Sequence, residues 1–246
     1  MKSEIDLSDL AHVARKLQPL NEKFAFTGGA IIPLLLDAPL VMPVRPTKDV
    51  DIIIEIFSRL DYFRLEERLR GIKFRHDMSE GAPRCRWIVD GLLLDVMPVS
   101  GEASGLRTKW FPEALAAARK VELVEGVTAH IVTAPYFIAT KLEAFSDRGN
   151  KDFYGSVDLE DVITVLDGRE SILREIEDLP RSVRSHLSGK FSELIRSRNF
   201  LESLPGHLLP DTASQERIPR LLDILHRLAG SQGANKGTTS RRSSET

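Results

Sequence analysis

Two aspartates one residue apart, Asp49 and Asp51, interrupt the apolar run of TKDVDIII. Side chains at i and i+2 of a strand share a face, so these carboxylates would stand side by side while Val50, Ile52 and Ile54 pack behind them. Adjacent carboxylates repel, and in a partly desolvated place one of them tends to hold a proton. A divalent cation removes the conflict, because Mg²⁺ (or Mn²⁺) binds oxygen and takes one or two carboxylates, leaving ligand positions for phosphate. A third acid, Asp95, breaks the apolar stretch LLLDVMPV. Beside the other two it would complete a two-ion site. Upstream, Gly28 and Gly29 follow the apolar run KFAFT. Glycines at a strand end that open a helix let backbone amides approach a phosphate closely.

Each feature also has an ordinary structural reading. A glycine pair is commonly a turn, a D-x-D a solvated strand end, and Asp95 an acid at a sheet edge. The order strand, Gly-Gly, helix, loop, D-x-D strand and later acidic strand is more specific than any of its parts.

The surrounding pattern supplies elements to position these residues. Ile5, Leu7, Leu10, Val13 and Leu17 recur at helical spacing. KFAFT reads as a short strand and AIIPLLL as a helix with Pro33 in its first turn. A proline-rich loop over 38–48 carries Arg45 and Lys48, and DVDIIIEI is a strand by its β-branched content. RLDYFRLEERLR reads as an amphipathic helix ending near Gly71. RCRWIVD and LLLDVMPV form a hairpin at Asp90-Gly91. A short helix and two more strands, ending in VTAHIVT, close this half.

From Pro135 onward the pattern is helical, and a boundary is expected near 134. The expected organisation is a core over 1–134, a helical domain over 135–229 and a disordered tail over 230–246, whose composition is almost wholly polar. The fold class expected is α/β (α+β).

At 246 residues the chain can bury a sizeable core. A formal charge of −2 argues against a protein dedicated to coating nucleic acid, without excluding a local basic patch. A single cysteine, Cys85, excludes an internal disulfide, and no Cys/His cluster has zinc-site spacing. No run approaches the roughly 18 apolar residues of a membrane span, and the first residues lack a signal-peptide core. A cytoplasmic location is expected.

TGGAIIPLLL, TKDVDIII and LLLDVMPV together resemble the active-site signature of the DNA polymerase β-type nucleotidyltransferase superfamily. KLEAFSDRGNKDFYGSVDLEDVITVLDGR resembles, more narrowly, the third and fourth motifs of the AbiEii/AbiGii toxin family. The resemblance covers about residues 24–169. It implies a Pol β-like mixed sheet with flanking helices, followed by a helical domain.

The implied reaction is transfer of a nucleoside monophosphate from an NTP to an acceptor hydroxyl. Asp49, Asp51 and Asp95 would hold the metal, and Gly28, Gly29 and Thr47 would lie around the phosphates. Lys141 and Arg148, two helical turns apart on one face, would neutralise the leaving pyrophosphate. The family pattern places an acid shortly after the arginine. Here FYGSV intervenes, and Asp152, Asp158 and Asp161 compete for that place. Asp158 and Asp161 are favoured, because they face one side of a helix at i, i+3, with either as general base for the incoming hydroxyl. Their ordinary reading is as acids at a helix N-terminus.

The resemblance further implies a tRNA 3′ end as acceptor and the toxin role of a toxin–antitoxin or phage-defence pair, with a cognate antitoxin as partner. Residues 24–98 equally allow a protein or a small antibiotic-like acceptor, and a non-catalytic nucleotide-binding scaffold is the alternative of another class. Arg75, Arg84 and Arg86, in RHDMSEGAPRCRW, are read as part of a solvated loop, with a nucleic-acid groove as the alternative. His76 and His130 are read as surface or strand residues, Trp87 and Trp110 as core.

Overall fold

The structure, a computed structural model, describes residues 4–37, 44–104, 109–148 and 152–230, without the side chains of Ser104 and Arg148. The tail expected to be disordered lies, from residue 231, outside the described residues. Two compact units are present, residues 1–170 and 171–246.

In the first unit, α1 (Leu7–Leu17) starts at a capping box in which the Asp6 carboxylate accepts from the amides of Ser8 and Asp9. It leads to β1 (Phe24–Thr27), a 3₁₀ turn (Gly29–Ile31), a single helical turn α2 (Ile32–Leu35) and β2 (Asp49–Ile54). Next come α3 (Arg59–Gly71), β3 (Arg75–His76), β4 (Arg86–Val89), β5 (Leu92–Pro98), α4 (Gly101–Ser104), α5 (Phe111–Ala116), β6 (Arg119–Val124) and β7 (Val127–Ile131). Helices α6 (Ala134–Arg148) and α7 (Val157–Gly168) complete the unit.

The seven strands form one mixed sheet in the order β3-β4-β5-β2-β1-β7-β6. β2 runs antiparallel to β1 and parallel to β5, and β1 runs parallel to β7. Central strands are apolar because they are covered: Val50, Ile52, Ile53, Ile54, Leu94, Val96, Ala25 and Phe26 are fully buried. The β4–β5 hairpin turns through Asp90 and Gly91, both at positive φ (47° and 86°), the geometry a two-residue primed turn requires.

The helix anticipated at AIIPLLL is shorter than its apolar pattern, since Leu36 already has extended backbone. The boundary between units also falls elsewhere than near 134. It lies after Glu170, and α6 and α7 belong with the sheet. Their apolar residues explain this: Phe137, Ile138, Ala139, Leu142, Leu159, Val162, Ile163, Val165 and Leu166 are all buried. The change of pattern at 135 marks a change of secondary structure within one hydrophobic core.

The second unit contains α8 (Ile172–Glu177), α9 (Arg181–Arg196), α10 (Arg198–Ser203), α11 (Thr212–Gln215) and α12 (Ile218–Gly230). α12 buries Leu221, Ile224, Leu225 and Leu228 as one stripe. It packs on α9, where the hydroxyls of Ser188 and Ser192 both donate to the Ala229 carbonyl. Among the described residues no helix is long and apolar enough to cross a membrane.

Candidate active site

Strand pairing gathers the acids. In the parallel β2–β5 register Asp51 lies directly beside Asp95, and Asp49 beside Leu93. In the antiparallel β1–β2 register Thr27 lies beside Asp51. In the β4–β5 hairpin Arg86 lies beside Asp95. A single row thus crosses four strands as Arg86, Asp95, Asp51 and Thr27, with Asp49 next to the row on β2. Asp95 is buried, and Asp49 and Asp51 are partly covered.

The glycines close one side. Gly28, at φ 71° and ψ −170°, has a backbone conformation essentially reserved to glycine. A Cβ there would lie 1.9 Å from Asp51 Oδ2. Beside Gly29, a Cβ would meet Thr47 Cβ and Arg45 Nη2, each at 3.4 Å. Thr47 is buried and donates from Oγ1 to Asp49 Oδ1 at 3.1 Å. Gly28 and Thr47 therefore border the carboxylates, and Gly29 borders Thr47 and Arg45.

Arg86 is the largest departure from that reading. It opens β4, within the strand expected for RCRWIVD, and its guanidinium turns onto the acids rather than to solvent. Nε donates to Asp95 Oδ1 at 2.8 Å, while Nη2 donates to Asp95 Oδ2 at 2.8 Å and to Asp49 Oδ2 at 2.6 Å. The hydrogen bonds with Asp95, reinforced by the neighbouring acids, hold Arg86 above its ordinary pKa. A sequence signal could have located it. A two-residue Asp-Gly turn fixes the hairpin register, and counting back from Asp90-Gly91 pairs residue 86 with residue 95.

The Asp51 carboxylate makes no hydrogen bond among the described residues. Burial, then the charges of Asp49 and Asp95, push its carboxyl up to about 7, against the lowering influence of Lys141 and Arg86. The same environment pushes the Cys85 thiol up to about 12, mainly through burial and then through Asp95 and Asp51.

From α6, the Lys141 ammonium reaches Asp161 Oδ2 at 2.6 Å and Asp158 Oδ1 at 3.2 Å. Burial alone would lower its pKa, yet these two carboxylates hold it above the ordinary value. Asp158 and Asp161, buried at the start of α7, are thus counter-ions of Lys141. Arg45 Nη2 stands 3.7 Å from Asp161. Arg45 was placed only in a loop by sequence, and it links Gly29 to α7. Asp152 is engaged in its own turn, accepting from the amides of Tyr154 and Gly155. The Arg148 side chain lies outside the described residues. His76 and His130 both occupy strands, His76 with its ring 3.8 Å from that of buried Trp87, and Trp110 is buried as anticipated.

A cleft of about 280 Å³ opens on this face. Its lining includes Gly28, Asp51, Asp95 and Lys141 together with Lys109, Trp110, Phe111, Glu143 and Asp147.

The donor set suits a hard divalent cation: three carboxylates on neighbouring strands, with Asp51 short of positive charge. Asp49 and Asp51 share one face of β2 and could offer a cation one carboxylate each. Among the described residues, however, no three acids, histidines or cysteines converge on one point, and Arg86 bridges Asp49 and Asp95.

No protein-family model matches this sequence, and a comparison with curated proteins finds no match. Solved structures do match. An antigenic nucleotidyltransferase-like protein from Paracoccidioides brasiliensis aligns over 86% of this chain and 97% of its own, at 18% identity and a TM-score of 0.50. The antibiotic-resistance factor ANT(2″)-Ia aligns over 77% of this chain and 95% of its own, at 14% identity and a TM-score of 0.48. The fold is therefore nucleotidyltransferase-like, with a mixed sheet flanked by helices.

Proposed function

We propose that this chain is a metal-dependent nucleotidyltransferase that moves a nucleoside monophosphate from an NTP to an acceptor hydroxyl and releases pyrophosphate. The observation that carries the reading is the placement of Asp51 beside Asp95, with Asp49 next to them, at the foot of Gly28-Gly29. Asp49, Asp51 and Asp95 would hold Mg²⁺ or Mn²⁺. When bound, the metal would neutralise charge on the phosphates and orient the attacking oxygen.

The chain's own groups supply the rest. With no side chains, Gly28 and Gly29 let the triphosphate approach the backbone, while Thr47 fixes the orientation of Asp49 through its hydroxyl. Lys141, kept cationic by Asp158 and Asp161, meets developing negative charge on the leaving group, with Arg148 as second cation. Such catalysis is mostly positioning and electrostatics, so Asp158 and Asp161 contribute by holding Lys141.

RNA, at a tRNA 3′ end, is the acceptor suggested by the likeness of KLEAFSDR and its following helix to the AbiEii/AbiGii motifs. A cytoplasmic toxin paired with an antitoxin is the matching biological role. One observation favours a small-molecule acceptor instead. The cleft is also lined by the aromatic side chains of Trp110 and Phe111, with Lys109 paired to Glu143 beside them, and aromatic faces suit a compact ligand.

Label transfer tests both readings. The protein and its Asp49→Ala/Asp51→Ala variant are incubated with each α-labelled NTP, Mg²⁺ and total tRNA, lysate protein or a panel of polyhydroxylated amines. Label on tRNA that disappears in the variant supports the RNA reading, and label on an amine supports the second. Nucleotide binding with no labelled product from any acceptor would leave a non-catalytic scaffold.

A further inference from the structure

Arg86 has no part in the chemistry proposed above, yet it is the most heavily engaged side chain of the site. Its Nη2 is shared between Asp95 Oδ2 and Asp49 Oδ2, and its Nε holds Asp95 Oδ1. Asp49 is consequently engaged at both oxygens, by Arg86 at Oδ2 and by Thr47 at Oδ1. The cluster is largely removed from water, with the side chains of Arg86, Asp49 and Asp95 only 19%, 29% and 11% exposed. Screening by solvent is correspondingly weak.

We infer that Arg86 is the resident counter-cation of this carboxylate cluster and competes with a divalent ion for Asp49 while keeping Asp95 in place. The inference rests on the metal-dependent reading above. Three neighbouring carboxylates need positive charge to remain ionised together, and Arg86 supplies it to two of them. A divalent ion taken up by Asp49 and Asp51 would lie close to the guanidinium, and like charges in a poorly screened place repel. Occupation by metal therefore requires the Arg86–Asp49 contact to loosen. The paired hydrogen bonds to Asp95 come from the opposite position of the same hairpin and survive that loosening. Arg86 is in this sense a positioning residue that sets how tightly the site takes its ion. Two cations competing for one acid are coupled reciprocally, and such couplings commonly amount to about 5–150-fold in affinity.

The test is Mn²⁺ binding to the full chain without nucleotide, followed by the electron-paramagnetic-resonance signal of free Mn²⁺, together with thermal melting. Arg86→Gln retains a hydrogen-bonding group without the charge. It is expected to bind Mn²⁺ about tenfold tighter than the wild type, to melt lower when metal-free, and to gain more melting temperature from Mn²⁺. Arg86→Lys, the reserve should Arg86→Gln not fold, keeps a charge but loses the planar fork and is expected to bind Mn²⁺ a few-fold tighter. Equal or weaker Mn²⁺ binding by the folded variant would overturn the competition while leaving the metal reading intact. Absence of Mn²⁺ binding in the wild type and the folded variant alike would remove the metal reading and the competition with it.

Discussion

The Asp51 carboxylate fills the space that a side chain at Gly28 would need: a Cβ there would lie 1.9 Å from Asp51 Oδ2. Position 28 also holds a φ of 71°, so alanine there meets both backbone strain and a carboxylate. Gly28→Ala is expected to lower stability by about 1–3 kcal/mol from the backbone alone and to abolish any nucleotide transfer by displacing Asp51. Urea denaturation measures the first, and the second is read from variant that remains folded. Unchanged stability would contradict the backbone strain, and unchanged transfer by the folded variant would mean that Asp51 moves aside without consequence.

The Asp51 carboxyl, raised to about 7, makes stability depend on pH in a particular direction. Between about pH 4 and pH 7 the folded chain holds a proton that the unfolded chain has lost. The folded state therefore binds more protons, and this contribution to stability falls as pH rises through that window. Melting temperatures of the metal-free protein should show the decline, and Asp51→Asn should flatten it. The variant should be the more stable of the two at about pH 8.

Lys141 and Asp161 form the tightest ion pair of the α6–α7 contact, at 2.6 Å, with the Asp161 side chain only 1% exposed. Removing one partner of a buried pair leaves an uncompensated charge, which typically costs about 3–5 kcal/mol. Lys141→Met is expected at the lower end of that range, because Arg45 also stands near Asp161. The double variant Lys141→Met/Asp161→Asn should recover part of the loss in urea denaturation, as expected for residues in direct contact.

Cys85 is buried and its thiol is pushed up to about 12. The thiolate is the reactive form, so iodoacetamide at about pH 8 should modify the native protein far more slowly than the urea-unfolded chain. Mass spectrometry of timed samples would show it, and fast labelling of the native protein would contradict the burial.

Much of the frame was legible because local rules dictate it. The alternation in DVDIII sets both aspartates on one face of a strand whatever lies beside it, and β-branched residues favour that strand locally. Asp90-Gly91 between apolar runs specifies a tight hairpin, and the 3.6-residue spacing of IPRLLDILHRL specifies a helix with one buried stripe. Helix ends were less legible, as AIIPLLL shows: the apolar pattern runs past the turn at which the backbone becomes extended.

By itself the sequence determined the elements and the identity of the acids, since side-chain periodicity and turn chemistry act over a few residues. Only the tertiary structure decided which groups meet. Asp51 lies beside Asp95 because β2 and β5 pair in parallel, across 43 intervening positions that no local rule spans. Lys141 finds Asp158 and Asp161 because α6 and α7 pack together, and both helices join the sheet because their apolar faces are buried with it. Arg86 illustrates the border between the two: the hairpin register places it opposite Asp95, but its hold on Asp49 exists only once β5 has docked against β2.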